Sequence, residues 1–92
     1  MCRNIRVLHN FQPPTTEEEV HAAALQYVRK VSGMQRPSLA DQAAFDQAIR
    51  RIAEETRGLL ASLSARPPPR TREAEKAKAR ARWAARLTRL AR

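Results

Sequence analysis

Apolar positions recur along this chain in two helical patterns separated by a short break. Thr16-Glu17-Glu18-Glu19 has the form of a capping box, in which the threonine hydroxyl accepts from the backbone three residues on and the glutamate reaches back. A helix is therefore predicted to start here, with three glutamates in its first turn, Arg29-Lys30 in its last and Gly33 as the left-handed terminator. Val20, Ala24, Tyr27 and Val31 share one of its faces. After a loop containing Pro37, Ser38 followed by Asp41 gives a weaker cap. Phe45, Ile49, Ile52, Thr56, Leu59 and Leu63 then form a heptad-like seam, widened by Ala48, Ala53 and Leu60. Two helices with matching seams and a short connection predict an antiparallel hairpin. Gly58 is costly inside a helix and predicts the close approach of another backbone, from the N-terminal segment or a partner chain.

The flanks differ from this centre. Ile5, Val7, His9 and Phe11 alternate at period two before Pro13-Pro14 stops them, which predicts an extended segment. With no second strand candidate in the chain, that segment must pack across the helices by its side chains or pair with its copy in another chain. Pro67-Pro68-Pro69 cannot continue a helix and forms a stiff spacer. From Thr71, a capping residue, a third helix is predicted, with Glu73 and Glu75 near its start. The fold class is all-α: an antiparallel helical hairpin plus a basic C-terminal helix, preceded by an extended N-terminal segment. Residues 1–65 form the segment and hairpin, 66–70 the proline-rich joint, and 71–92 the basic helix. The hairpin alone has a thin core, with Leu25, Val28 and Leu60 on a second face, so a third helix or a dimer partner is expected to cover it.

Ninety-two residues allow one small domain, and an aromatic share of 4% with two glycines agrees with helices rather than a sheet sandwich. Net charge changes the picture more. Eighteen Lys and Arg face nine Asp and Glu, for +9, and the excess is concentrated: residues 1–65 carry eight basic and seven acidic side chains, residues 66–92 ten and two. An anionic or acidic-faced partner is expected for such a tail. One cysteine excludes an internal disulfide framework and supplies no zinc-finger spacing. No apolar run is long enough for a signal peptide or membrane span, so the protein is expected in the cytoplasm.

The opening Met1-Cys2-Arg3-Asn4-Ile5, the Asn10-Phe11 and Pro13-Pro14 that follow, and the block Ala22-Ala23-Ala24-Leu25-Gln26-Tyr27-Val28-Arg29-Lys30-Val31-Ser32-Gly33 resemble a bacterial family of short proteins known only as a domain of unknown function. Pro37-Ser38, Phe45, Leu59-Leu60, Pro68-Pro69 and Arg72-Glu73-x-Glu75 extend the resemblance over nearly the whole chain, while Trp83 and the ending from Leu87 to Leu90 depart from it. The resemblance implies an intracellular bacterial protein and draws attention to Cys2, Arg3 and the tail. It implies no activity, substrate or cofactor.

Three chemistries compete for the chain. The strongest signal is the third helix, where Lys78, Arg82, Arg86 and Arg89 form a basic ridge and Trp83, Leu87 and Leu90 an apolar edge. Fifteen of the eighteen cations are arginine, whose planar fork suits bidentate contact with phosphate. A non-enzymatic module is expected to contact nucleic acid, RNA by preference, through Lys76, Lys78, Arg80, Arg82, Arg86 and Arg89, with Trp83 stacking on a base. The same face would alternatively be solvated, or bind an acidic protein or an anionic membrane surface. Second, the seams with Trp83, Leu87 and Leu90 would bury against a partner protein or a copy, giving a homodimer. Third, Cys2 would act as a reactive thiol, its thiolate favoured by Arg3 and Arg6 and approached by His9, or as a small buried hydrophobe. His9 and His21 match no standard metal motif, so no metal and no cofactor are expected. A helix-turn-helix reading fails because the connection contains Pro37 and residues 39–49 carry little positive charge.

Overall fold

The computed structural model describes residues 3–91, and among them the chain forms three helices and no strand: α1 (Glu17–Ser32), α2 (Gln42–Ser62) and α3 (Arg72–Leu90). The local signals place α1 closely. Thr16 accepts from the Glu19 N–H, the Glu19 carboxylate accepts from the Thr16 N–H, and Gly33 ends the helix in the left-handed region at φ 72°. α3 likewise starts on Thr71, whose hydroxyl accepts from the Ala74 N–H at 3.1 Å. The start of α2 lies later than Ser38 suggests. Ser38 and Asp41 close a turn on each other, Asp41 N–H to Ser38 carbonyl at 3.0 Å and Ser38 Oγ to Asp41 Oδ2 at 3.2 Å. With its carboxylate occupied there, Asp41 precedes α2 without capping it.

α1 and α2 pack as the expected hairpin, the one pair of helices in contact among the described residues. Its core is Leu8, Val20, Ala24, Val28, Phe45, Ile49 and Ala53, with Ala23, Leu25, Ala48, Ile52 and Leu60 around it. The seam thus differs from the heptad pattern. Both helices bury rows spaced four apart, Val20-Ala24-Val28 and Phe45-Ile49-Ala53, whereas Tyr27 is 49% and Val31 69% exposed. Ridges spaced by four interdigitate when the small residues at their crossing permit close approach, and Ala24 and Ala53 supply them. α2, with 21 residues against 16 in α1, overhangs its partner, leaving Leu59 and Leu63 exposed near its end.

Leu8 of the N-terminal segment completes the core. The period-two face expected there is not the buried one, since Ile5 and Val7 stay exposed while Leu8 between Val7 and His9 goes in. Side chains and single backbone contacts, rather than a ladder, hold this segment. Gln26 Oε1 accepts from the N–H groups of Asn4 and Ile5 at 2.8 and 3.0 Å, Thr15 Oγ1 donates to the Leu8 carbonyl, and Asn10 turns the chain at φ 62°. Its backbone pairing is a single parallel bridge between Phe11 and Arg70, made by Arg70 N–H to Asn10 O at 2.7 Å and Gln12 N–H to Arg70 O at 2.9 Å. Gly58 meets no close neighbour: a Cβ there would find nothing within 4 Å. Its cost in helix propensity is not offset by a contact inside this chain.

α3 does not cover the hairpin. None of its residues is buried, and the radius of gyration is 16.4 Å against about 12 Å for a compact domain of this length. The helix projects as an arm about 28 Å long.

Candidate nucleic-acid interface

Among the described residues the arm is held at its root alone. Arg72, its first residue, lays its guanidinium against the Glu19 carboxylate through Nη2 to Oε1 at 2.7 Å and Nε to Oε2 at 3.2 Å. The same guanidinium donates to the carbonyls of Pro13 at 2.8 Å and Pro14 at 3.2 Å and sits 5.3 Å from the centre of the Phe11 ring. Arg6 adds a second cation to Glu19 at 3.2 Å. The Arg72 hydrogen bonds and then the Thr16 N–H bring the Glu19 carboxyl down from 4.5 to about 2, against an opposing contribution from partial burial. Glu19 in turn raises Arg72. One carboxylate therefore caps α1 and anchors α3, while Arg57 pairs with Glu17 across the cleft between α2 and the N-terminal segment.

Beyond this root most of the arm's cations have no counterion among the described residues. Glu75 is the last acidic residue of the chain; it pairs with Lys78 at 3.2 Å and with Arg70 at 3.8 Å. No carboxylate among the described residues lies within ion-pair distance of Lys76, Arg80, Arg82, Arg86 or Arg89. Helical geometry divides the six expected contacts. Lys78, Arg82, Arg86 and Arg89 share one face, while Lys76 and Arg80 fall on the opposite side of Trp83, beside Leu87. Trp83 is 51% exposed, and the Arg86 guanidinium lies 6.0 Å from its ring centre, so one face of the indole already carries a cation.

The remaining sequence candidates do not converge. Cys2 lies outside the described residues. Arg3 is exposed, and His9 Nε2 donates to the Ser64 carbonyl at 3.1 Å, tying its ring to the chain that follows α2. No group of three His, Cys, Asp or Glu side chains among the described residues is arranged to hold a metal ion, and no helix among them is long and apolar enough to cross a membrane. Sequence reasoning gave no site role to Arg66, Arg70 or Asn10. The signal for the two arginines is their placement on either side of the proline run.

Fold and site together define a small three-helix protein in which a helical hairpin, clamped through Glu19 and Arg72, carries a projecting basic arm. The chain belongs to the family described as uncharacterized conserved protein (DUF2277), which matches residues 1–78. The match takes in the hairpin, the joint and the first turns of α3 as far as Lys78; Arg80, Arg82, Trp83, Arg86 and Arg89 lie beyond it. No curated protein and no solved structure matches the chain.

Proposed function

We propose that the protein is a non-enzymatic bacterial module that binds nucleic acid, with RNA preferred, along the Lys78, Arg82, Arg86 and Arg89 face of α3. The observation that carries this reading is an arm with no buried residue and no acidic side chain after Glu75. A helix of this kind gains little from packing and much from neutralising its charge. Four cations on one face predict that log K falls against log salt with a slope near about −3.6 on duplex DNA and about −2.8 on a single strand. Engagement of Lys76 and Arg80 as well would steepen these to about −5 and −4. The test is a fluorescence-anisotropy titration of single-stranded RNA and duplex DNA at several salt concentrations. The comparison protein is Arg82→Ala/Arg86→Ala/Arg89→Ala in the full chain, because truncation before Arg70 would also remove the clamp. Binding with a slope shallower than about −1 in the parent would refute the reading.

A second reading has its own observation. Trp83, Leu87 and Leu90 are 51%, 46% and 70% exposed on one edge of the arm, and Tyr27 and Leu59 are exposed on the hairpin. Such a strip suits association with a copy or a partner protein. Light scattering without nucleic acid checks self-association, which a monomeric mass at high concentration would exclude.

A further inference from the structure

Where the N-terminal segment crosses the proline joint, three cations from two elements border one open hollow of about 460 Å³. Arg66 and Arg70 come from either end of the joint and Lys78 from the second turn of α3, with His9 and Asn10 forming the opposite wall. The geometry points to a binding site for a phosphomonoester dianion in this hollow. Three observations support it.

The charge is only partly compensated. Among the described residues Glu75 is the one carboxylate that reaches these cations, shared between Lys78 at 3.2 Å and Arg70 at 3.8 Å, and Arg66 has no ion-pair partner. Three positive charges against one negative leave two, the charge a phosphomonoester carries near neutral pH.

The walls are fixed in advance. Arg70 is held by its N–H to the Asn10 carbonyl at 2.7 Å and by its carbonyl from the Gln12 N–H at 2.9 Å, and its Nη1 donates to the His9 carbonyl at 2.8 Å. The Arg66 carbonyl accepts from Asn10 Nδ2 at 2.6 Å. Asn10 is the non-glycine residue in the left-handed region among those described, and that conformation lets it contact the joint through both carbonyl and amide. A guanidinium already in place loses little freedom when an oxyanion arrives, so more of the interaction appears as affinity.

The dimensions suit more than a bare ion. Hollows of about 300–1,000 Å³ are typical of sites for small organic ligands, and Lys78 belongs both to this hollow and to the basic ridge. A terminal phosphate of an RNA strand lying along α3 would reach it, as would a free nucleoside monophosphate. The RNA route rests on the nucleic-acid reading of α3; the free ligand does not.

The experiment compares one short RNA with a 5′-phosphate and with a 5′-hydroxyl, alongside adenosine monophosphate and inorganic phosphate, by isothermal titration and by amide chemical shifts of His9, Asn10 and Arg70. The full chain is used as wild type, Arg66→Gln, Lys78→Gln and Arg82→Ala/Arg86→Ala/Arg89→Ala. A preference of about fivefold to tenfold for the phosphorylated RNA, lost in Arg66→Gln and Lys78→Gln, with adenosine monophosphate still shifting the hollow's amides in the ridge variant, establishes the site on an RNA end. If neither RNA binds but the monophosphate does, with the same dependence on Arg66, the hollow is a site for a free phosphomonoester and the nucleic-acid reading falls alone. If both RNAs bind equally and neither small ligand shifts the hollow's amides at about 10 mM, the inference is overturned while the ridge stands. Arg66→Gln leaves the backbone contacts of the joint in place, and an unchanged thermal melt verifies that its loss of binding is local.

Discussion

Replacing Glu19 by glutamine should reveal how much one carboxylate contributes to joining the arm to the hairpin. The side chain accepts from the Thr16 N–H at 2.8 Å, from Arg72 at 2.7 and 3.2 Å and from Arg6 at 3.2 Å. Holding its carboxyl at about 2 instead of 4.5 corresponds to roughly 3 kcal/mol if nothing is lost to solvent. The side chains of Glu19, Arg72 and Arg6 are 16%, 27% and 47% exposed, and screening reduces the expected loss in Glu19→Gln to about 1–2 kcal/mol. Glu19→Ala should cost about 1 kcal/mol more, because glutamine retains an acceptor for the Thr16 N–H and alanine does not. Urea denaturation followed by circular dichroism measures both.

The pH dependence carries the sharper test. The folded carboxyl is the stronger acid, so the unfolded chain binds more protons between the two values and stability rises with pH across that interval. The contribution is present in full above 4.5 and disappears as pH falls through about 2. The gap between wild type and Glu19→Gln should therefore close over this range. A gap of equal size at pH 7 and near pH 2, or none at pH 7, would refute the assignment of the clamp to the Glu19 charge.

Gly58→Ala should stabilise the chain by about 1 kcal/mol, read as a higher melting temperature, since the added Cβ meets nothing within 4 Å; a loss instead would mean that another chain packs at that position. Leu8→Ala should cost about 2–3 kcal/mol, because Leu8 is 8% exposed and joins α1 and α2 in the core, and a loss near zero in urea denaturation would contradict the packing of the N-terminal segment. Saturating RNA should slow amide exchange over residues 79–90 by about tenfold or more, and unchanged exchange there with RNA bound would place the contact elsewhere.

The sequence signals that worked were local. Thr16, Glu19 and Gly33 fix α1 through contacts within four residues, and Thr71 fixes the start of α3 in the same way. The seam was harder, because after Ala24 both Tyr27 and Val28 lie near the same face, and the choice depends on which row the other helix presents. Ala53 decides it in favour of the row that ends on Val28. The contacts that hold the proline joint and the root of α3 were out of reach for a different reason. Its bonds join Asn10 to Arg66 and Glu19 to Arg72 across more than fifty residues, and the capping box had already given Glu19 a complete local explanation. A residue with two roles shows only the one whose partners are near in sequence.

That double role also bears on why α3 can remain unpacked. Isolated helices shorter than about 12–15 residues are marginal in water, and α3 has 19 residues rich in Ala, Arg and Lys, with Thr71 capping its start and Glu73 and Glu75 in its first turn. These terms favour the helix without a tertiary contact. Against them stand Lys78, Arg82 and Arg86, which repel one another at four-residue spacing. The root offsets part of this: Arg72 is bound and Glu75 screens Lys78, while no carboxylate among the described residues pairs with Arg82, Arg86 or Arg89. Repulsion is thus concentrated in the distal turns, where an anionic strand bound as proposed would relieve it. On the proposed nucleic-acid reading, binding and helix formation would be coupled in the arm, with the hairpin holding its first turn at a fixed point.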